Sequence, residues 1–178
     1  MKRYAIMAAA GILAAACGSS PSSPSNTQPN TIVFTAALAF ANEIPTIPTS
    51  NADANARGTA TVTFNLTRDS AGTITAATVN YVYSLSGFPA GTIIRATHIH
   101  EGGPAIPGGV VIDSGLTAAN AITLADGSMN NITFSNLTNF VGGLTLINQI
   151  IANPNGYYFN VHSGLNPGGA VRGQLVKQ

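Results

Sequence analysis

The chain has 178 residues, enough for one domain with a continuous hydrophobic core. Only 7% of them are charged, far below the roughly 25% of ordinary soluble domains, and the formal net charge is +1. No basic patch is available to grip a phosphate backbone, so nucleic acid is excluded as a partner. The chain is 45% apolar but has no unbroken apolar run of spanning length, and no transmembrane helix is expected.

The amino terminus has the three parts of an export signal. Lys2 and Arg3 come first, then an apolar stretch from Tyr4 to Leu13, then Ala14, Ala15 and Ala16. The single cysteine, Cys17, follows at once. Leu13-Ala14-Ala15-Ala16-Cys17 resembles the bacterial lipobox, whose cysteine is lipidated and becomes the mature first residue, although the usual Leu falls one position nearer the cysteine. An acylated Cys17 would anchor the protein to a membrane without a spanning helix, and the modification would remove a free thiol that is an oxidation liability outside the cytoplasm. The expected division is therefore a signal peptide over 1–16, a lipidated Cys17 with a tether over 17–30, and a folded domain over 31–178. The tether GSSPSSPSNTQPN holds no large apolar side chain that could offset ordering entropy.

From Thr31 onward short β-rich runs alternate with turns. Ile32 to Phe40 and Thr59 to Leu66 read as strands, the second alternating small polar with apolar residues at period two. After the turn at Asp69 to Gly72, Ile74 to Leu85 sets Val79, Tyr81, Tyr83 and Leu85 on one face. Further strands are expected at Ile93 to His100, Val110 to Ile112, Ala121 to Leu124, Tyr157 to Val161 and Ala170 to Val176. Between Phe140 and Ala152, Leu144, Ile147 and Ile151 recur at helical spacing, and Asn153-Pro154-Asn155-Gly156 stops the run. Short strands punctuated by Gly, Pro and Asn turns predict an all-β, antiparallel sandwich or barrel, with one short helix before the penultimate strand. Asn65, Asn131 and Asn136 begin Asn-x-Thr triplets, which in a bacterial chain read as strand polarity.

Three stretches together resemble the chordin-type domain, CHRD. They are Asn42-Glu43-Ile44-Pro45; His98-Ile99-His100 with Gly103-Pro104-Ala105; and Tyr158-Phe159-Asn160-Val161-His162 followed by Pro167-Gly168-Gly169-Ala170-Val171-Arg172-Gly173-Gln174-Leu175. The resemblance runs from about Thr31 to the end and departs from the family pattern at Ala170, where an acid is usual. It implies an immunoglobulin-like β-sandwich placed outside the cell, and it implies no reaction.

All three histidines lie in these blocks. His98 and His100 sit two positions apart on one strand, so both leave the same face, roughly 6 to 7 Å apart at their bases, close enough to converge on one ion. His100 precedes Pro107-Gly108-Gly109 and His162 precedes Pro167-Gly168-Gly169, as though two similar hairpins lay at the same end of the sandwich. His162 would then complete a three-nitrogen site for copper or zinc, both suited to imidazole. The alternative is that these histidines hydrogen-bond loop backbone and hold the glycine-rich turns. Glu101 is a fourth ligand or an outer acceptor, although it alternates to the opposite face from His100. Glu43 and Arg172 stand out in a charge-poor chain and are expected to clasp the first and last strands as an ion pair. Ser163 beside His162 does not suggest a hydrolase, since adjacent strand residues point apart and no partnered acid follows.

Function is less plainly written than export. The leading expectation is a lipid-anchored domain of the bacterial envelope with a non-catalytic binding or scaffolding role toward an extracytoplasmic ligand or protein. The alternative is a mononuclear copper or zinc protein using His98, His100 and His162. A third reading, adhesion to polysaccharide, would need Tyr81, Tyr83, Tyr157 and Tyr158 to stack on sugars.

Overall fold

A computed structural model describes residues 28–178. The export signal, Cys17 and most of the tether lie outside the described residues. Ten strands follow in order: β1 (Thr31–Ala39), β2 (Arg57–Arg68), β3 (Ile74–Ser86), β4 (Thr92–Glu101), β5 (Val110–Asp113), β6 (Ile122–Leu124), β7 (Met129–Leu137), β8 (Tyr157–Ser163), β9 (Val171–Gln174) and β10 (Val176–Lys177). One helix, α1 (Leu144–Ala152), precedes β8.

All strand pairings are antiparallel, and the hydrogen bonds run continuously in the order β5-β4-β8-β9-β1-β2-β3-β7. β6 adds to β4 and β10 to β1. The two ends of this path meet: Ile112 of β5 bridges Phe140 just after β7, and the Val141 amide donates to the Val111 carbonyl. The sheet is thus bent nearly into a barrel. The antiparallel all-β expectation stands, and the pairing draws one continuous, nearly closed sheet.

The alternation read in the sequence decides what fills the interior. Val79, Tyr81, Tyr83 and Leu85 of β3 are at most 1% exposed, as are Phe34, Val62, Phe64, Ile94, Ile99 and Phe159. Tyr81 and Tyr83 reach across this core. The Tyr81 hydroxyl donates to the Ile112 carbonyl, and the Tyr83 hydroxyl bonds Thr97 Oγ1 at 2.9 Å, so neither buried hydroxyl is left unpaired. Tyr157 and Tyr158 are also buried. With none of the four exposed, the sugar-stacking reading loses its platform.

Three differences from the expected elements have local causes. β7 was not among the expected strands, because Asn131 and Asn136 adopt left-handed backbone (φ +56° and +58°) and the pairing with β3 shifts register, which breaks period-two alternation. Those two asparagines and Asn65 nonetheless lie on strands, as their reading as strand polarity requires. The last expected strand is divided at Leu175, whose amide turns to the Tyr157 carbonyl, so the helix precedes the third-last strand. α1 buries Leu146, Ile147 and Ile150 toward β3 and leaves Ile151 half-buried.

Candidate metal centre

β4 and β8 are neighbours, and their register sets Ala96 opposite His162, His98 opposite Asn160 and His100 opposite Tyr158. Alternation then sorts the two strands. Thr97, Ile99, Phe159 and Val161, all 0% exposed, enter the barrel, while His98, His100, Tyr158, Asn160 and His162 share its outer face.

The histidines converge, but not by the route expected from the sequence. Because β4 and β8 are antiparallel, the loop 102–109 after β4 and the loop 164–170 after β8 leave from opposite ends of the strand pair, not from the same end of a sandwich. Each folds back over the outer face. His100 Nδ1 lies 3.0 Å from the Gly108 carbonyl oxygen, and His162 Nδ1 lies 2.9 Å from that of Pro167. The glycines of the two Pro-Gly-Gly blocks allow this close return. A Cβ at Gly108 would strike the Glu101 carbonyl, and Gly169, at φ +136°, would place one 2.5 Å from Glu43 Oε2.

The loop carbonyls fix the tautomers. A carbonyl oxygen only accepts, so His100 and His162 each carry a proton on Nδ1 and turn an Nε2 lone pair inward. His98 Nε2 faces Asp113 Oδ1 at 3.5 Å, where its proton would sit once Nδ1 took a metal; without one, Nδ1–H can donate to the His162 Nε2 lone pair. That Nδ1 lies 3.2 Å from His162 Nε2. The one ligand nitrogen offered by each histidine lies within 4.8 Å of the other two. His100 Nε2 is buried without a partner. Ligands about 2.0 to 2.1 Å from a tetrahedral zinc stand roughly 3.4 Å apart, so small rotamer changes close the site. The loop contacts and the convergent nitrogens are therefore one arrangement, since outer hydrogen bonds of this kind aim metal-ligating imidazoles.

Electrostatics keep the cluster neutral. Burial first, then the neighbouring His162, drives His98 down to about 4 against the opposing pull of Asp113. Burial likewise lowers His100 and His162, opposed by their loop hydrogen bonds. Neutral imidazoles are the form that binds a metal.

Sequence reasoning missed Asp113 and Tyr158. Asp113 on β5 is the register partner of His98 because the pairing shifts by one residue between Ile99 and His100; an unbroken hairpin from His100 and Val110 would set Ile112 there. The Tyr158 ring stacks on His100, centroids 4.9 Å apart, and carries the Arg172 guanidinium 3.5 Å from its centre. Glu101 is exposed at the strand end and is not in the cluster. Ser163 does have an acid partner, earlier in the chain: its hydroxyl donates to Asp53 Oδ2 at 2.6 Å. Both are buried in a network with Asn166, without a hydrogen bond to His162.

The expected clasp between Glu43 and Arg172 is not a contact ion pair. Both are buried, at 3% and 1% exposed, yet no oxygen–nitrogen distance between them reaches 4.0 Å, and Glu43 Oε1 and Arg172 Nη1 each lack a partner. Arg172 instead donates from Nη2 to the Gly103 and Ile106 carbonyls, tying the loop over His100 to β9. Burial raises Glu43 to about 7, opposed by the Arg172 charge and a hydrogen bond from Asn160. With the folded value above the unfolded one, the native state holds the extra proton, so stability is highest below pH about 4.5 as far as Glu43 is concerned and declines as pH rises through 7. The loss is on the order of 3 kcal/mol. About 2 kcal/mol of it falls between pH 5.5 and 8, where denaturant unfolding should show it, and Glu43→Gln should flatten the slope; an unchanged slope would exclude Glu43 as its source.

A profile of the CHRD domain matches residues 34–175, which is most of the chain and includes the three histidines, Asp113 and Arg172. The protein belongs to the CHRD domain family. No curated protein and no solved structure matches the chain.

Proposed function

We propose that this CHRD domain is an exported, lipid-anchored binding module whose outer face holds one copper or zinc ion on His98 Nδ1, His100 Nε2 and His162 Nε2. The observation that carries the metal reading is the convergence of three imidazole nitrogens within 4.8 Å of one another. Two backbone carbonyls hold the Nδ1 protons of His100 and His162, which turns their Nε2 lone pairs toward His98 Nδ1. His100 Nε2 is buried without a partner, and a cation would satisfy it. The immunoglobulin-like sandwich implied by the family resemblance is kept as the finer description of the fold.

The test is titration of metal-free protein with zinc and with copper. One equivalent should bind, and a hundredfold excess of metal over its dissociation constant should raise unfolding stability by about 2.7 kcal/mol. Absence of saturable binding would return the histidines to holding the loops. The anchor is tested separately: Cys17→Ser should abolish lipid labelling and membrane association and leave the circular dichroism of the β domain unchanged. Unlabelled wild type, or a mutant still bound to the membrane, would remove the lipoprotein reading.

A further inference from the structure

We propose that the three-histidine centre prefers monovalent copper over divalent copper and zinc. This deepens the metal reading and rests on it. The cost of taking an ion out of water rises with the square of its charge, so a divalent ion costs about four times as much as a monovalent one of similar size unless anionic ligands share the burden. Here no anionic ligand does. All three donors are uncharged imidazole nitrogens. Glu101 is exposed and lies outside the cluster, and Asp113, half exposed, faces the outer nitrogen of His98.

A fixed positive charge stands on the other side. Arg172 lies over Tyr158, and Tyr158 lies against His100, so the guanidinium is two stacked layers from a ligand. The strands impose that order, since Tyr158 has β4 with His100 on one side and β9 with Arg172 on the other. Coordination number points the same way. His100 and His162 are each 7% exposed and the His98 side chain 14%, so water has little access to complete a larger ligand shell. Zinc and divalent copper call for at least four ligands, whereas closed-shell monovalent copper is satisfied by three.

The full chain is titrated anaerobically with monovalent copper, kept reduced by ascorbate and buffered by bicinchoninate, and separately with divalent copper and zinc against chelators. The monovalent ion should bind more tightly than either divalent ion. Two variants then move the balance in opposite directions. Asp113→Asn, at a half-exposed position, removes a negative charge and should weaken divalent copper relative to monovalent by about tenfold, raising the one-electron potential by about 59 mV. Arg172→Gln removes a positive charge and should lower the potential. Asp113→Asn alone decides the sign if the Arg172 variant fails to fold. Zinc or divalent copper bound as tightly as monovalent copper, or a potential that falls in Asp113→Asn, overturns this proposal and leaves the metal reading intact. No binding of any of the three ions removes both.

Discussion

His162→Ala is expected to weaken metal binding by at least about 100-fold, with the domain still folded by circular dichroism. The side chain supplies one of three nitrogens and takes its aim from the Pro167 carbonyl, so its loss leaves two donors and an open side. Wild-type affinity should also resist acid. Protons compete with a metal only near the ligands' own titration range, and with all three lowered, binding should weaken at a lower pH than at an ordinary histidine site. An ordinary histidine site would already weaken near 6.5. Chelator competition at pH 5, 6 and 7 measures both effects; a tenfold loss by pH 6, or wild-type affinity in His162→Ala, would oppose this geometry.

Arg172→Met is the largest stability change expected. The guanidinium is 1% exposed and bonds two carbonyls of the 102–109 loop and Gln174 Oε1, besides covering Tyr158. Methionine fills part of the volume but gives those carbonyls no donor, and each stranded buried group costs about 1 to 3 kcal/mol. Part is recovered because Arg172 Nη1 is itself unpartnered and the loop can reach water. A net loss of roughly 2 to 4 kcal/mol follows. Because Glu43 makes no contact with the guanidinium, a double-mutant cycle between Arg172→Met and Glu43→Gln should show coupling under about 1 kcal/mol. Coupling of several kcal/mol would restore the direct clasp.

What the sequence made legible was what depends on alternation. The same-face pair His98 and His100, the buried face of β3 and the antiparallel class all follow from period two, and the structure carries each of them. What depends on pairing was not legible. The two Pro-Gly-Gly loops look like one motif repeated, yet strand direction sends them over the histidines from opposite ends. Asp113 reaches His98 through register, and Arg172 found backbone carbonyls where an ion pair was expected because its nearest acid is held beyond contact. β7 hid behind two asparagines in left-handed conformation.

The place of β1 in the sheet has a consequence for how the molecule is made. Its partners are β2 on one side and, on the other, β9 and β10, so Ala39 waits for Arg172 and Phe34 for Lys177. The ring cannot shut until the carboxyl-terminal residues exist. Such distant pairings carry a large loop-closure cost before they return any stability, which makes folding slow. Until β9 and β10 arrive, β1 has one unpaired edge, and their pairing covers it. Pairing with β9 and β10, more than the formation of any earlier strand, is what leaves this side of β1 without a free edge.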